Sequence, residues 1–328
     1  MRKRVTILLL YFTCGLLYGQ QESTLVWPQP PDQARIRHVR TISSIENLEA
    51  KKGFWGKLFG FLFGSEHQQS RWFVQPVGVA VSPSGVIFVT DPGAHGVHII
   101  NPEKKEYDFL ATTKYGDFRS PIGCAIDENN FIYITDSERG DVVVFDNDID
   151  AVLEIKTHLV RPTGIQVVGD HLFVADAGQH TVTVFDRKGN YVYAFGRHGA
   201  GEGEFNFPIQ LAVRESVMVV DALNYRIQNF DFAGHYSSTF GDLGDVSGRF
   251  ASPKSIALDS DGNRYVTDAL MDNFQIFNRM GQLLLVVGRK GTSNGEFMMP
   301  NGIFIDKSDK IYVVDALNRR LQIFQYLK

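Results

Sequence analysis

Four positions, one proline, one aspartate and two large apolar residues, recur in register six times along the 328 residues of this chain. A proline recurs at intervals of 41 to 47 residues, at Pro76, Pro121, Pro162, Pro208, Pro253 and Pro300. An aspartate follows each proline after 13 to 15 residues, at Asp91, Asp136, Asp176, Asp221, Asp268 and Asp315. Nine residues after each aspartate stands Ile100, Phe145, Phe185, Phe230, Phe277 or Phe324. Three residues before each proline stands Phe73, Phe118, Leu159, Phe205, Phe250 or Phe297. Four anchors held in register over six copies indicate a repeat architecture.

Each copy contains several short β-type runs. The last complete copy, Pro300 to Phe324, has apolar runs at 303–305, 311–314 and 321–324, separated by polar turn residues. Such a meander has no second face to pack against on its own. A period near 45 residues with several strands per copy predicts an all-β, six-bladed β-propeller with one four-stranded blade per repeat.

The repeats resemble NHL repeats. The resemblance rests on DALNYRIQNF at 221–230, on DALNRRLQIF at 315–324, and on the linking stretch 195–208 that is echoed at 288–300. It covers residues 71–328, with weaker copies in the first two blades. It implies a six-bladed propeller of the exported bacterial NHL type, but propellers host unrelated activities, so it says little about function.

The region before the propeller divides into four segments. Residues 1–19 have Arg2, Lys3 and Arg4 followed by a short apolar run, which is typical of a secretory signal peptide. Residues 20–35 are proline-rich and predict an extended tether. Residues 36–43 alternate like a strand, and because the chain stops after the third strand of blade six, we expect Ile36 to Ile42 to supply its missing outer strand and close the ring.

Residues 44–70 form an apolar insertion that we expect to be helical. Seven of the twelve residues in GFWGKLFGFLFG, at 53–64, are Phe, Trp or Leu. Two interpretations stay open: a short helix that covers apolar surface of the propeller, or an element that makes peripheral contact with a membrane through Phe54, Trp55, Phe59 and Phe63.

Charge and cysteine content exclude several classes. Removing residues 1–19 leaves 30 basic against 37 acidic residues, which argues against a nucleic-acid partner. The mature chain then holds one cysteine, Cys124, in an apolar run, so no internal disulfide is expected.

The six repeated aspartates are interpreted as structural, because a carboxylate at the end of a strand accepts hydrogen bonds from backbone amides of the following turn. The third and fourth positions after them vary in chemistry at constant loop length, as a recognition surface would. The candidate binding residues are His95, Arg139, Gln179, His180, Asn224, Tyr225, Asp272, Asn318 and Arg319.

Catalytic signatures are weak. A zinc enzyme needs about three protein ligands that converge on the metal. Among the NHL-type propellers that these repeats resemble, the peptide-amidating lyases hold a metal in the central cavity, and some of its ligands directly follow the blade-opening proline. The residues at those positions here are Val77, Ile122, Thr163, Ile209, Lys254 and Asn301. None is a histidine, so we predict no catalytic residue, metal ligand or cofactor, and His95 and His180 are the pair to test.

The sequence therefore favours a non-catalytic binding or scaffold propeller that recognises a protein or peptide on the loop face near the axis. We expect it to be exported, periplasmic or extracellular, and anchored to the membrane if its leader is not cleaved. The alternatives are a metal-dependent lyase or hydrolase with its site in the axial cavity, and a membrane-tethered component of envelope assembly.

Overall fold

A computed structural model describes residues 25–44, 51–52 and 72–328. The predicted signal peptide at 1–19, the start of the tether, and most of the insertion predicted to be helical at 44–70, with Phe54, Trp55, Phe59 and Phe63, lie outside the described residues. Within that insertion, Lys51–Lys52 forms a short strand and not a helix. No helix in the described part of the chain is long and apolar enough to cross a membrane.

Six antiparallel blades follow one another along the chain, as predicted. Blade one contains β4 (Gly78–Val81), β5 (Ile87–Asp91), β6 (Gly96–Asn101) and β7 (Glu106–Leu110), with β3 (Lys51–Lys52) parallel to β7 at its edge. A small hairpin, β8 (Thr112–Thr113) and β9 (Gly116–Asp117), leads to the second blade. Blade two contains β10 (Pro121–Ile126), β11 (Ile132–Asp136), β12 (Asp141–Phe145) and β13 (Ala151–Ile155). Blade three contains β14 (Pro162–Val168), β15 (His171–Asp176), β16 (Thr181–Asp186) and β17 (Tyr191–Phe195).

The later blades have the same order. Blade four contains β18 (Pro208–Val213), β19 (Val217–Asp221), β20 (Arg226–Phe230) and β21 (Tyr236–Phe240), with a 3-10 turn at Ala222–Asn224. Blade five contains β22 (Pro253–Leu258), β23 (Arg264–Asp268), β24 (Asn273–Phe277) and β25 (Leu283–Val287). Blade six contains β26 (Pro300–Ile305), β27 (Lys310–Asp315) and β28 (Arg320–Tyr326) from this end of the chain.

The N-terminal part of the chain completes blade six, which confirms the predicted ring closure. Strand β2 (Ile36–Ile42) pairs antiparallel with β28, and Ile36 and Ile42 are fully buried. A further strand, β1 (Val26–Trp27), pairs with β2 inside the segment predicted as an extended tether. Its Trp27 ring packs edge-on against Phe324 with centroids 5.8 Å apart, so this part of the tether belongs to the blade.

The blades pack through clusters of buried aliphatic and aromatic side chains, each shared by neighbouring blades. The repeated phenylalanines supply much of this core: Phe205 and Phe230 lie 5.4 Å apart between their ring centroids, and Phe250 and Phe277 lie 5.6 Å apart. Every sheet is covered on both faces by the neighbouring blades. Residues of the inner strands are therefore buried whichever face they point to.

Near the axis the blades are joined by hydrogen bonds. The hydroxyl of Thr90 donates to the carbonyl of Ile122 in the next blade (2.6 Å), and Thr135 makes the equivalent bond to Thr163 (2.5 Å). The amide of Gly302 donates to the carbonyl of Val77 (2.8 Å) and thereby joins blade six to blade one. A Cβ atom on Gly302 would lie only 2.4 Å from that carbonyl oxygen, so the close approach requires glycine.

Acid should weaken the ring closure through His38, which is buried on β2 against Phe324. Burial, and secondarily the positive charge of Arg320, lower the pKa of His38 from 6.5 to about 4. As pH falls through 6.5, His38 binds a proton in the unfolded chain, but in the folded protein it does so only near pH 4. We therefore expect the free energy of unfolding to fall across this window, by as much as about 3 kcal/mol.

Urea unfolding followed between about pH 7 and pH 4 measures this slope. The substitution His38→Gln should reduce this slope, whereas His171→Gln, at an exposed position of blade three, should leave it nearly unchanged. An unchanged slope in His38→Gln would contradict the assignment.

Candidate binding face

The face predicted to carry binding is built from two sets of loops. These are the turns that join the second strand of each blade to its third, and the loops that lead into each first strand. We call this surface the turn face. The turns between first and second strands and between third and fourth strands lie on the opposite face, because successive strands are antiparallel.

The six repeated aspartates hold the two sets of loops together, and all six are fully buried. In blade five, Asp268 accepts hydrogen bonds from the amides of Ala251 and Ser252 in the entering loop (2.7 and 2.9 Å). It also accepts from the amides of Leu270 and Met271 in its own turn (3.1 Å each). A carboxylate surrounded by amide donors is stabilised in its charged form without a cation, so it can be buried.

In blades three, four and six, the residue at the third position after the aspartate strengthens the same attachment. The side-chain amides of Asn224 and Asn318 each donate to a carbonyl of the loop entering their own blade, Gly199 (2.8 Å) and Gly291 (2.9 Å). Gln179 does the same to His158 (2.8 Å). The side-chain amides of these predicted binding residues therefore form hydrogen bonds within their own blade.

The side chain of Arg139, at the equivalent position of blade two, is only 7% exposed. Its guanidinium forms ion pairs with Asp141 (2.7 Å) and Glu154 (2.6 Å) and donates to carbonyls of the hairpin that leads into the blade. Burial raises the pKa of Asp141 to about 6 against the opposing effect of Arg139. This group is a structural anchor of the face and has little surface to offer a ligand.

The fourth position has a left-handed backbone in all six blades. Its residues are His95, Gly140, His180, Tyr225, Asp272 and Arg319, with φ between 51° and 69°. Glycine or asparagine suits this conformation best, and a bulky side chain there is uncommon. Five of the six blades nevertheless carry a residue larger than glycine there. A residue kept in such a conformation commonly has a packing or binding role.

Three of the five form contacts between blades. His95 Nδ1 lies 2.5 Å from the carbonyl oxygen of Arg119, His180 Nδ1 accepts from the amide of Phe207 (3.2 Å), and Asp272 accepts from the amide of Met299 (2.9 Å). These contacts join blade one to two, three to four, and five to six. The other two differ: Arg319 is exposed, and Tyr225 is half-buried against the core between blades four and five.

An exposed apolar arc crosses the turn face on three consecutive blades. It consists of Leu223, Leu270 and Leu317, which are 51%, 67% and 55% exposed and occupy the second position after the repeated aspartate, together with Met299, which precedes Pro300. The same position holds Gly93, Glu138 and Gly178 in blades one to three. Sequence reasoning that looked only at the third and fourth positions missed this arc, although aligning the second position reveals it.

The histidines do not assemble a metal site among the described residues. His180 packs against His198 with ring centroids 4.5 Å apart, and His95 is engaged with the next blade. In the described part of the chain no group of three or more His, Cys, Asp or Glu side chains is placed to hold a metal ion. Lys254, directly after a blade-opening proline, is half-buried, and burial lowers its pKa against the opposing charge of Asp268.

Comparison with known proteins agrees with this architecture. A family model described as a 6-bladed beta-propeller matches residues 153–243 and 250–326, together just over half of the chain. An auxiliary nutrient binding protein from Bacteroides thetaiotaomicron is similar over 78% of this chain and 70% of its own, at 14% identity and a TM-score of 0.64.

Two enzymes share the fold as well. A gluconolactonase from Xanthomonas campestris is similar over 78% of this chain and 87% of its own, at 14% identity and a TM-score of 0.60. Virginiamycin B lyase from Staphylococcus aureus is similar over 77% and 95%, at 14% identity and a TM-score of 0.55. At these identities the likeness concerns the fold alone.

Removing one repeated carboxylate should destabilise the protein strongly. Asp268→Ala leaves four amides of the turn face without their acceptor, and we expect a loss of about 3 kcal/mol in the free energy of unfolding. Asp242→Ala removes an exposed aspartate paired with Arg249 and should change stability by less than about 0.5 kcal/mol. Equal effects of the two substitutions in urea unfolding would contradict the role given to Asp268.

Proposed function

The chain belongs to the DUF5128 family of 6-bladed beta-propellers, and on that scaffold we propose a non-catalytic binding protein that recognises a protein or peptide on its turn face. We also propose that its repeats are of the NHL type. The observation that carries the binding proposal is the apolar arc of Leu223, Leu270, Leu317 and Met299.

The arc is unusual for a turn. A leucine side chain favours no turn geometry and can form no hydrogen bond there, and each of the three leucines is more than half exposed. Because the three leucines repeat at one position on adjacent blades, they lie on one side of the same face. Exposed apolar clusters with a polar surround are typical of protein-interaction surfaces.

The surround of the arc supplies polar and charged groups. Arg319 is exposed two residues beyond Leu317, and the half-buried Tyr225 lies two residues beyond Leu223. Arginine and tyrosine at the margin of an apolar cluster are typical of residues that anchor a bound protein or peptide. The backbone beneath them is held by the buried aspartates, so binding would not have to order the loops.

The arc can be tested by site-specific crosslinking of the full-length chain in its native host. A photoreactive residue at position 270 should give a discrete crosslinked partner, and Leu223→Ser with Leu317→Ser should reduce its yield by about tenfold. The matched control replaces exposed apolar residues of the outer strands, Val152→Ser, Val192→Ser and Leu284→Ser, and should keep the crosslink. Both sets of substitutions should leave the melting temperature nearly unchanged.

Two results would contradict the proposal. The first is an equal loss of the crosslink in the leucine variants and in the control variants. The second is near-stoichiometric zinc that survives dialysis and disappears in His95→Ala with His180→Ala. That result would favour the metal-dependent lyase or hydrolase.

We propose in addition that the protein acts outside the cytoplasm, either released or held at the membrane by its leader. Support comes from the basic start and apolar run of residues 1–19. A peripheral membrane contact through Phe54, Trp55, Phe59 and Phe63 is proposed from their apolar character.

Cell fractionation and the intact mass of the purified chain should show an exported protein, shortened at its N-terminus if the leader is cleaved. The control is a variant with Arg2, Lys3 and Arg4 changed to Glu, which should reduce export. A full-length protein found only in the cytoplasm would contradict the localisation.

A further inference from the structure

A cationic cleft lies between blades four and five on the face opposite the turn face. Its volume is about 180 Å³, several times the space that one water molecule occupies. Three arginines line it, Arg214 from blade four and Arg264 and Arg279 from blade five, together with one carboxylate, Glu215. The positions equivalent to Arg214 and Arg264 hold different residues in the other blades.

Arg264 breaks the pattern of its own repeat. It stands four residues before the repeated aspartate, at the start of the second strand of blade five. The residues at this position in the other five blades are Ile87, Ile132, Leu172, Val217 and Ile311, all buried and aliphatic. Blade five thus places a cation where every other blade places a core residue.

Among the residues that the structure describes, the guanidinium of Arg264 has no anionic partner. Its Cζ atom lies 5.1 Å from the ring centroid of Phe240, and within the described chain it has no hydrogen-bond or ion-pair acceptor. Burial, and secondarily the positive charge of Arg279, lower its pKa. A half-buried cation next to a second cation is unfavourable unless an anion compensates for it.

Arg279 has a counterpart in blade three that shows what is missing. Arg279 and Arg187 both stand eleven residues after the repeated aspartate. Each donates through Nε to a carbonyl of the first turn of its own blade, Asp261 (3.2 Å) and Gly169 (2.7 Å). Arg187 also forms ion pairs with Asp127 (2.9 Å) and Glu128 (2.5 Å) of the preceding blade.

The acidic partner of Arg187 is replaced by an arginine in the cleft. Asp127 stands six residues after its blade-opening proline, and Arg214 stands six residues after Pro208. Glu215 matches Glu128, but it is mostly exposed and lies 3.7 Å from Arg279. One exposed carboxylate therefore faces three guanidinium groups.

The arginines are held in place by the protein. The guanidinium of Arg214 donates to the carbonyl of Asp259 (2.8 Å) in blade five. The guanidinium of Arg279 lies directly over Gly262, where a Cβ atom would come within 2.6 Å of its Nε. Guanidinium groups fixed in this way lose little conformational entropy when they bind an anion.

We propose that the cleft formed by Arg214, Arg264 and Arg279 binds a small oxyanion, or a ligand that carries a phosphate, sulfate or carboxylate group. The anion supplies beside Arg279 the negative charge that the Asp127 carboxylate supplies beside Arg187. Planar guanidinium groups donate paired hydrogen bonds to such oxygens. Three cations against one exposed carboxylate favour a doubly charged tetrahedral anion over a singly charged one.

Calorimetric titration of the full-length chain tests the site, with orthophosphate, sulfate and acetate as probes and chloride used to keep ionic strength constant. We expect saturable binding of orthophosphate or sulfate with a dissociation constant of about 1 mM or tighter. Saturation by acetate alone would assign a carboxylate ligand to the same arginines. Absence of saturation with all three probes overturns the proposal.

Two substitutions locate the binding. Arg264→Leu restores the aliphatic residue of the other blades, and Arg214→Asp restores the carboxylate found beside Arg187; each should weaken binding by about tenfold or more. Arg289→Leu removes the same charge from the turn face and should change binding by less than about twofold. Equal binding in all these variants overturns the site. Because Arg214→Asp copies the ion pair that Arg187 forms with Asp127, this variant keeps the test valid if Arg264→Leu does not fold.

Discussion

The buried carboxylate at the end of each second strand is the interaction on which the propeller depends. A charge without water is tolerated only where donors replace its hydration, and in each blade backbone amides from the entering loop do so. In blades four and six an arginine also contributes, Arg226 and Arg320 (2.9 and 2.7 Å). The carboxylate thus fixes the loop that leads into the first strand of its own blade. Six such attachments set the shape of the turn face.

Much of the fold could be predicted because its constraints repeat. The proline, aspartate and phenylalanine anchors define the blades, and the missing fourth strand of blade six pointed to Ile36 to Ile42. The site could be predicted less well, because contacts between blades depend on the register of one repeat against the next. The hydrogen bonds of His95, His180 and Asp272 are of this kind, and so is the pairing of Arg187 with Asp127.

The six blades are alike in backbone and unlike in surface. The turn face is apolar over blades four to six, where Leu223, Leu270 and Leu317 project, and carries glycine or glutamate at the same position over blades one to three. On the opposite face, one interblade cleft is closed by an arginine and aspartate pair and another gathers three arginines. A repeated scaffold permits such differences because each blade's core depends on its two neighbours alone.

Ring closure by β2 has a consequence for the order in which the protein can fold on the ribosome. Strand Ile36–Ile42 is synthesised before the strands of the blades, whereas its partner Arg320–Tyr326 follows the strands of the first five. Until then the strand has an unpaired edge, which on a nascent chain invites pairing with other chains. Arg37 and Arg40 within this strand provide charges of the kind that discourage such pairing. The strand that closes the ring is therefore also an edge that needs protection from aggregation while the chain is unfinished.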